Sequence, residues 1–159
     1  MQNNDILRSL RYTFDFGDDQ MIRIFGLGGL ETSRAEVSDW LKKDDDEAFN
    51  PLGDFKLAAF LNGLIIYKRG AKEGAVPLPE NRLTNNQILR KLKIALELSD
   101  ENQLEILELA GRTISKHELS AFYRKPEQKQ YRLCKDQILR NFLQGMRRYY
   151  RETTDNSDS

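Results

Sequence analysis

The chain has 159 residues, 39% of them hydrophobic and 31% charged, which is enough apolar material for a packed core and too much for a disordered chain. Lys plus Arg and Asp plus Glu both number 25, and a pI near 6.6 argues against strong non-specific binding to nucleic acid. No apolar run approaches the roughly 18 residues of a membrane-spanning helix, no export signal is read at the start, and the single cysteine, Cys134, has no partner for a disulfide or a metal cluster, so a reduced, cytoplasmic setting is expected.

The phrase "NNDILRSLR" opens at Asn3 and returns as "NNQILRKLK" at Asn85. Shifted by 82 positions, residues 3–69 match 85–151 without a gap, and 21 of the 67 pairs are identical. Ile6/Ile88, Ser33/Ser115, Asp54/Asp136, Gly63/Gly145 and Tyr67/Tyr149 are among them. A match of this length means one helical unit, duplicated.

Each unit reads as four helices. The first is expected near 5–16 and 87–98, with the stripe Ile6, Leu10, Phe14 matched by Ile88, Leu92, Leu96. The paired Asn ahead of it is expected to cap its N-terminus. The second is expected near 19–28 and 101–110, with "DENQ" as an acidic start and Gly29 and Gly111 as left-handed C-caps. The third opens with "SRAE" and "SKHE", both Ser-x-x-Glu capping boxes, and ends by Lys125 because Pro126 cannot continue it. The fourth starts at Asp54 and Asp136 and presents Leu57, Phe60, Leu61, Leu64 and Leu139, Phe142, Leu143, Met146 on one face. No period-2 pattern lasts long enough for a strand. The segmentation is therefore 1–70 first repeat, 71–84 extended linker, 85–151 second repeat, and 152–159 a disordered acidic tail.

The "NNxILRxLR" opening, "GLGGLETSRAEVSDWLKK", the acidic "DDDEAF" and the ending "FLNGLIIYKRG" resemble the YehS-like bacterial proteins, from about residue 3 to 151. The resemblance implies an all-helical bacterial protein built from this duplicated unit and of uncharacterised function. It supplies no catalytic residues.

Candidate chemistry is sparse. His117 is the only histidine and lacks a nucleophile and an orienting acid, so it reads as a surface residue. "FGLGGLE" neither follows a strand nor ends in Gly-Lys-Ser/Thr, so it is not a phosphate loop. "DDDE" at 44–47 lacks EF-hand spacing and its counterpart is "PEQK", so it reads as a solvated acidic loop. Helices two and three have the outline of a helix-turn-helix, which would offer Arg34, Ser38 and Lys42, or Lys116, Ser120 and Arg124, to a major groove. The stretch 120–151 carries Arg124, Lys125, Lys129, Arg132, Lys135, Arg140, Arg147, Arg148 and Arg151 against Glu127 and Asp136. Its interleaved Phe122, Tyr131 and Tyr149 match Trp40, Phe49 and Tyr67 and read as core or loop anchors, and only Tyr123 and Tyr150 lack an aromatic counterpart. On a continuous helix Arg140, Arg147 and Arg151 would share one face beside the core stripe.

These readings converge on an all-α protein of two tandem four-helix repeats. A unit of about 67 residues buries little surface alone, so the two are expected to pack about a pseudo-twofold axis through their first and fourth helices. No enzyme activity, cofactor or metal is expected, and no membrane association. Residues 1–80 carry a charge of −4 and residues 81–159 carry +4. That split favours a protein-interaction module, self-association included, with nucleic-acid binding by the basic second repeat as the alternative. The candidate surface is Arg124, Lys125, Lys129, Arg132, Arg140, Arg147, Arg148 and Arg151.

Overall fold

The computed structural model describes residues 1–71 and 77–152. Part of the linker and residues 153–159 of the expected disordered tail lie outside the described residues. Two compact units emerge, Met1–Leu83 and Thr84–Ser159. The first contains α1 (Asn3–Phe14), α2 (Asp18–Leu27), α3 (Arg34–Leu41) and α4 (Asp54–Arg69); the second contains α5 (Asn85–Leu96), α6 (Asp100–Leu109), α7 (Lys116–Ala121) and α8 (Asp136–Met146). A π-helical turn, Arg147–Glu152, continues α8. Among the described residues there is no strand, and no helix is long and apolar enough to cross a membrane. The all-α architecture of two four-helix repeats is as expected.

The paired asparagines do not cap their helices. The N-caps are Gln2 and Thr84, and the asparagines occupy the first turn, where they tie down the connection between the third and fourth helices. Asn4 donates from Nδ2 to the carbonyls of Trp40 and Asn50, 2.9 Å each, and accepts at Oδ1 from the Leu52 amide at 2.9 Å. Asn86 repeats this with the carbonyls of Phe122 and Arg132, at 3.0 and 2.8 Å, and the Cys134 amide at 2.9 Å. Asn3 reaches the Leu52 carbonyl and the Asp54 carboxylate, and Asn85 reaches the Cys134 carbonyl and the Asp136 carboxylate. A primary amide fits because it offers both donors and an acceptor to backbone groups that burial would otherwise leave unpaired.

The capping boxes form as expected. Ser33 Oγ accepts from the Glu36 amide at 3.2 Å while Glu36 accepts from the Ser33 amide at 3.0 Å, and Ser115 and Glu118 repeat the exchange. The cap of α6 is Ser99, with Asp100 and Glu101 in its first turn. Gly29 and Gly111 have φ of +91° and +79°, and the amides that follow them close back onto Phe25 and Leu107, the left-handed termination expected of them.

Within the first unit α2 packs on α4 and α1 packs on α3 and α4. Phe25 joins the packing, with ring centroids 5.3 Å from Trp40 and 4.9 Å from Phe60. The approach of α2 to α4 is backbone to backbone: a Cβ placed on Gly63 would lie 1.8 Å from the Ile24 carbonyl oxygen. In the second unit α6 packs on α8 and α7, and a Cβ on Gly145 would lie 1.9 Å from the Ile106 oxygen. The identity of Gly63 and Gly145 across the repeat thus has a steric cause.

Candidate functional site

The short helix α7 and the loop that follows it, residues 122–135, form a basic segment of the second unit, the loop carrying five cations against Glu127. Backbone hydrogen bonds from Gln128 to Lys125 and from Tyr131 to Gln128 fold the loop into successive turns, and the Arg132 amide returns to the Ala121 carbonyl at 3.1 Å. The Asn86 clamp fixes its two ends and Cys134 anchors it in the core. With its backbone held, the loop turns its long side chains outward. Lys125, Lys129, Arg132 and Lys135 are exposed and Arg124 is half-buried. Leu133, between two of these cations, is 62% exposed. Two depressions adjoin the loop. One, of about 390 Å³, is lined by His117, Glu118, Ala121, Lys129, Gln130 and Arg132. The other, of about 310 Å³, is lined by Arg124, Gln128, Lys129 and Gln130.

Of the eight candidate residues, Arg124, Lys129 and Arg132 therefore border neighbouring hollows, and Lys125 shares their loop. Arg140 is exposed on α8 and lines neither. Arg140 and Arg147 keep the seven-residue spacing of one α-helical face, and only Arg151 is separated from them by the π turn. The α-helix ends at Met146 with Arg147 still in the α conformation, and beyond it i→i+5 bonding alters the angle between successive side chains up to Arg151. Arg148 donates from Nη1 to the Leu109 carbonyl. It thereby satisfies a terminal carbonyl of α6 with a cation at the negative end of the helix dipole.

Tyr123 is withdrawn from any stacking role. Its hydroxyl donates to Oε1 of the fully buried Gln103, and Lys93 lies over its ring with Nζ 4.4 Å from the centroid. Burial pushes its phenol well above the ordinary range. The equivalents of Gln103 and Tyr123 in the first unit are Met21 and Leu41. Tyr150 meets Tyr149 edge-on at 4.9 Å, and burial pushes its hydroxyl up to about 12.

The helix-turn-helix outline is weakly built. The would-be reading helices α3 and α7 have only 8 and 6 residues. Arg34 is paired with Asp19 at 2.6 Å and Lys116 with Glu101 at 3.1 Å, while Lys42 is held by Asp39 at 2.8 Å. Arg124 falls beyond the end of α7. Among the described residues no group of three or more His, Cys, Asp or Glu could hold a metal ion. The Cys134 thiol is buried, which pushes it up to about 12, so it is a poor nucleophile. His117 borders the larger depression but is exposed. The sequence had singled out neither this hollow nor Leu133, whose counterpart is Pro51. The one signal that could have found them is the change of loop composition between otherwise matching repeats.

A chain of two tandem copies of one four-helix unit, each with a clamped loop between its last two helices, is thus the class of protein defined by the fold. The model of the family described as "Protein of unknown function (DUF1456)" matches twice, over residues 3–70 and 85–152. The chain belongs to that family. It is 43% identical over 147 residues to the uncharacterized protein YehS of Escherichia coli (strain K12), covering 92% of this chain and 94% of that protein. No solved structure matches. Neither description names an enzyme activity.

Proposed function

We propose that this is a non-enzymatic protein-interaction module that takes acidic protein surfaces on the α7–α8 loop of its second unit. The observation that carries the reading is the loop's composition on a fixed backbone. Residues 124–135 hold five cations, Arg124, Lys125, Lys129, Arg132 and Lys135, against the single anion Glu127. Three of those cations border shallow hollows, and Leu133 stands exposed among them. Cations steer an acidic partner to the face. Arginine with an apolar neighbour provides contact area once it arrives. The reading takes the protein to work in the reducing cytoplasm, in keeping with its single buried thiol, and admits a second copy of the chain among its partners.

Nucleic acid is the second reading, because the same cations would neutralise phosphates. It ranks behind, since single strands are held largely by stacking on aromatic faces, and the two tyrosines of this segment, Tyr123 and Tyr131, are both half-buried, Tyr123 with its hydroxyl on Gln103 and its ring under Lys93. The two readings separate in one titration. Fluorescence anisotropy of a labelled decapeptide of Asp and Glu, and of labelled duplex and single-stranded oligonucleotides, is followed against the full chain in 50 mM salt. The interaction reading expects the peptide to bind, and binding to weaken about tenfold in the variant Lys125→Gln, Lys129→Gln, Arg132→Gln. Oligonucleotides binding more tightly than the peptide, with a steep salt dependence, would replace it by the nucleic-acid reading. No binding of the peptide would reject it.

A further inference from the structure

The loop of the second unit has a structural twin of opposite charge. Residues 42–53, between α3 and α4, follow the same hydrogen-bonded path: Asp46 to Lys43, Phe49 to Asp46, and Asn50 back to Asp39, matching Gln128 to Lys125, Tyr131 to Gln128, and Arg132 back to Ala121. Asn4 clamps the one as Asn86 clamps the other. On this common backbone, residues 42–53 carry Lys42 and Lys43 against Asp44, Asp45, Asp46 and Glu47, a charge of −2, and residues 124–135 carry +4. The inversion is sharpest at one position, where Glu47 is replaced by Lys129, the residue common to both hollows.

The acidic loop is poorly neutralised from within. Lys42 is occupied by Asp39 at 2.8 Å. Asp46 accepts from the Ala48 amide at 2.9 Å, so its carboxylate is turned onto its own loop. Asp44, Asp45 and Glu47 are exposed. On the other side Lys125, Lys129 and Arg132 are exposed, and their side chains form no ion pair among the described residues.

We infer that the α7–α8 loop of one copy docks the α3–α4 loop of a second copy, so that the chain assembles head to tail. This rests on the interaction reading above and names its partner. The two surfaces differ, so the contact is heterologous: each copy offers one donor loop and one acceptor loop, and assembly grows with concentration. Both loops are solvated, so the contact is weak and salt-sensitive.

The test is sedimentation equilibrium of the full chain, with two charge-reversal variants at exposed positions. One is Asp44→Lys, Asp45→Lys, Glu47→Lys, which leaves two basic loops. The other is Lys125→Glu, Lys129→Glu, Arg132→Glu, which leaves two acidic ones. The parent is expected to exceed the mass of an 18.5 kDa chain at about 20 mM salt and to approach it at about 500 mM. Each variant alone is expected to associate at least about tenfold more weakly, and an equimolar mixture of the two to recover association. A parent that stays monomeric at millimolar concentration in low salt, or variants that lose association without recovery on mixing, would overturn the self-docking. If the chain is monomeric yet still binds the acidic decapeptide, the interaction reading stands and only the choice of partner falls.

Discussion

Asn4 and Asn86 each satisfy three backbone groups belonging to the connection between the third and fourth helices. Replacing either by Ala removes all three partners from a site where the residue is 1% or 6% exposed. The expected cost is about 2–3 kcal/mol, set by the orphaned groups rather than by the bonds themselves, and is read as a lower urea midpoint. A loss of unfolding free energy below about 0.5 kcal/mol in both variants would show that the clamp is dispensable. The sequence pattern placed these residues at the right helix but in the wrong role. An Asn ahead of an apolar stripe usually caps it, and nothing local shows that the true partners lie 36–48 positions away.

Two further residues join the buried Tyr123 phenol in setting the response to alkali. Burial raises the Cys134 thiol from its ordinary 9.0 to about 12 and the Tyr150 hydroxyl from 10.0 to about 12. Below about pH 8 both stay protonated whether the chain is folded or not. Above it the unfolded chain releases these protons first, so it binds fewer and stability falls with rising pH. The expectation is a thermal midpoint that declines between pH 9 and 12, together with Cys134 reacting with a thiol reagent at pH 8 far more slowly in the native than in the urea-unfolded protein. Equal rates in the two states would contradict the burial.

At the scale of the element, the fourth helix is tied to the second through bare backbone. Gly63→Ala and Gly145→Ala each drive a Cβ toward a carbonyl oxygen, to 1.8 and 1.9 Å, and are expected to cost at least about 3 kcal/mol because backbone on both sides must move. Gly26→Ala is the control: nothing lies within 4 Å of its Cβ position, and the helix gains about 0.5–1 kcal/mol in propensity. Urea unfolding of the three variants should therefore give shifts of opposite sign. The helices themselves were legible, because apolar spacing, Ser-x-x-Glu boxes and terminating glycines are local signals that tertiary packing here does not override. The π turn was not. Tyr67 and Arg69 lie in regular α-helix while their identical counterparts Tyr149 and Arg151 lie in the π turn. The same letters take two conformations, so the choice belongs to their surroundings.

For the whole molecule, the duplication was fully visible because a gap-free offset needs no structure to detect. The candidate surface was legible only in part. Counting cations along 120–151 grouped residues that the fold divides: Lys125, Lys129 and Arg132 stand exposed on one clamped loop, whereas Arg148 caps α6. Charge counts along a chain carry no information about which side chains the backbone has already committed. What separates the two repeats is concentrated in that loop, −2 in one and +4 in the other, on a shared framework of hydrogen bonds. The division of charge across the chain is thus expressed at matched positions rather than diffusely.

The central claim is that recognition resides in the α7–α8 loop. Amide chemical-shift mapping of the full chain during titration with the acidic decapeptide tests it at residue resolution. The account predicts that the largest shifts fall at His117, Glu118 and residues 124–135. Shifts centred instead on the π turn or on α3, or none at all at saturating peptide, would contradict it.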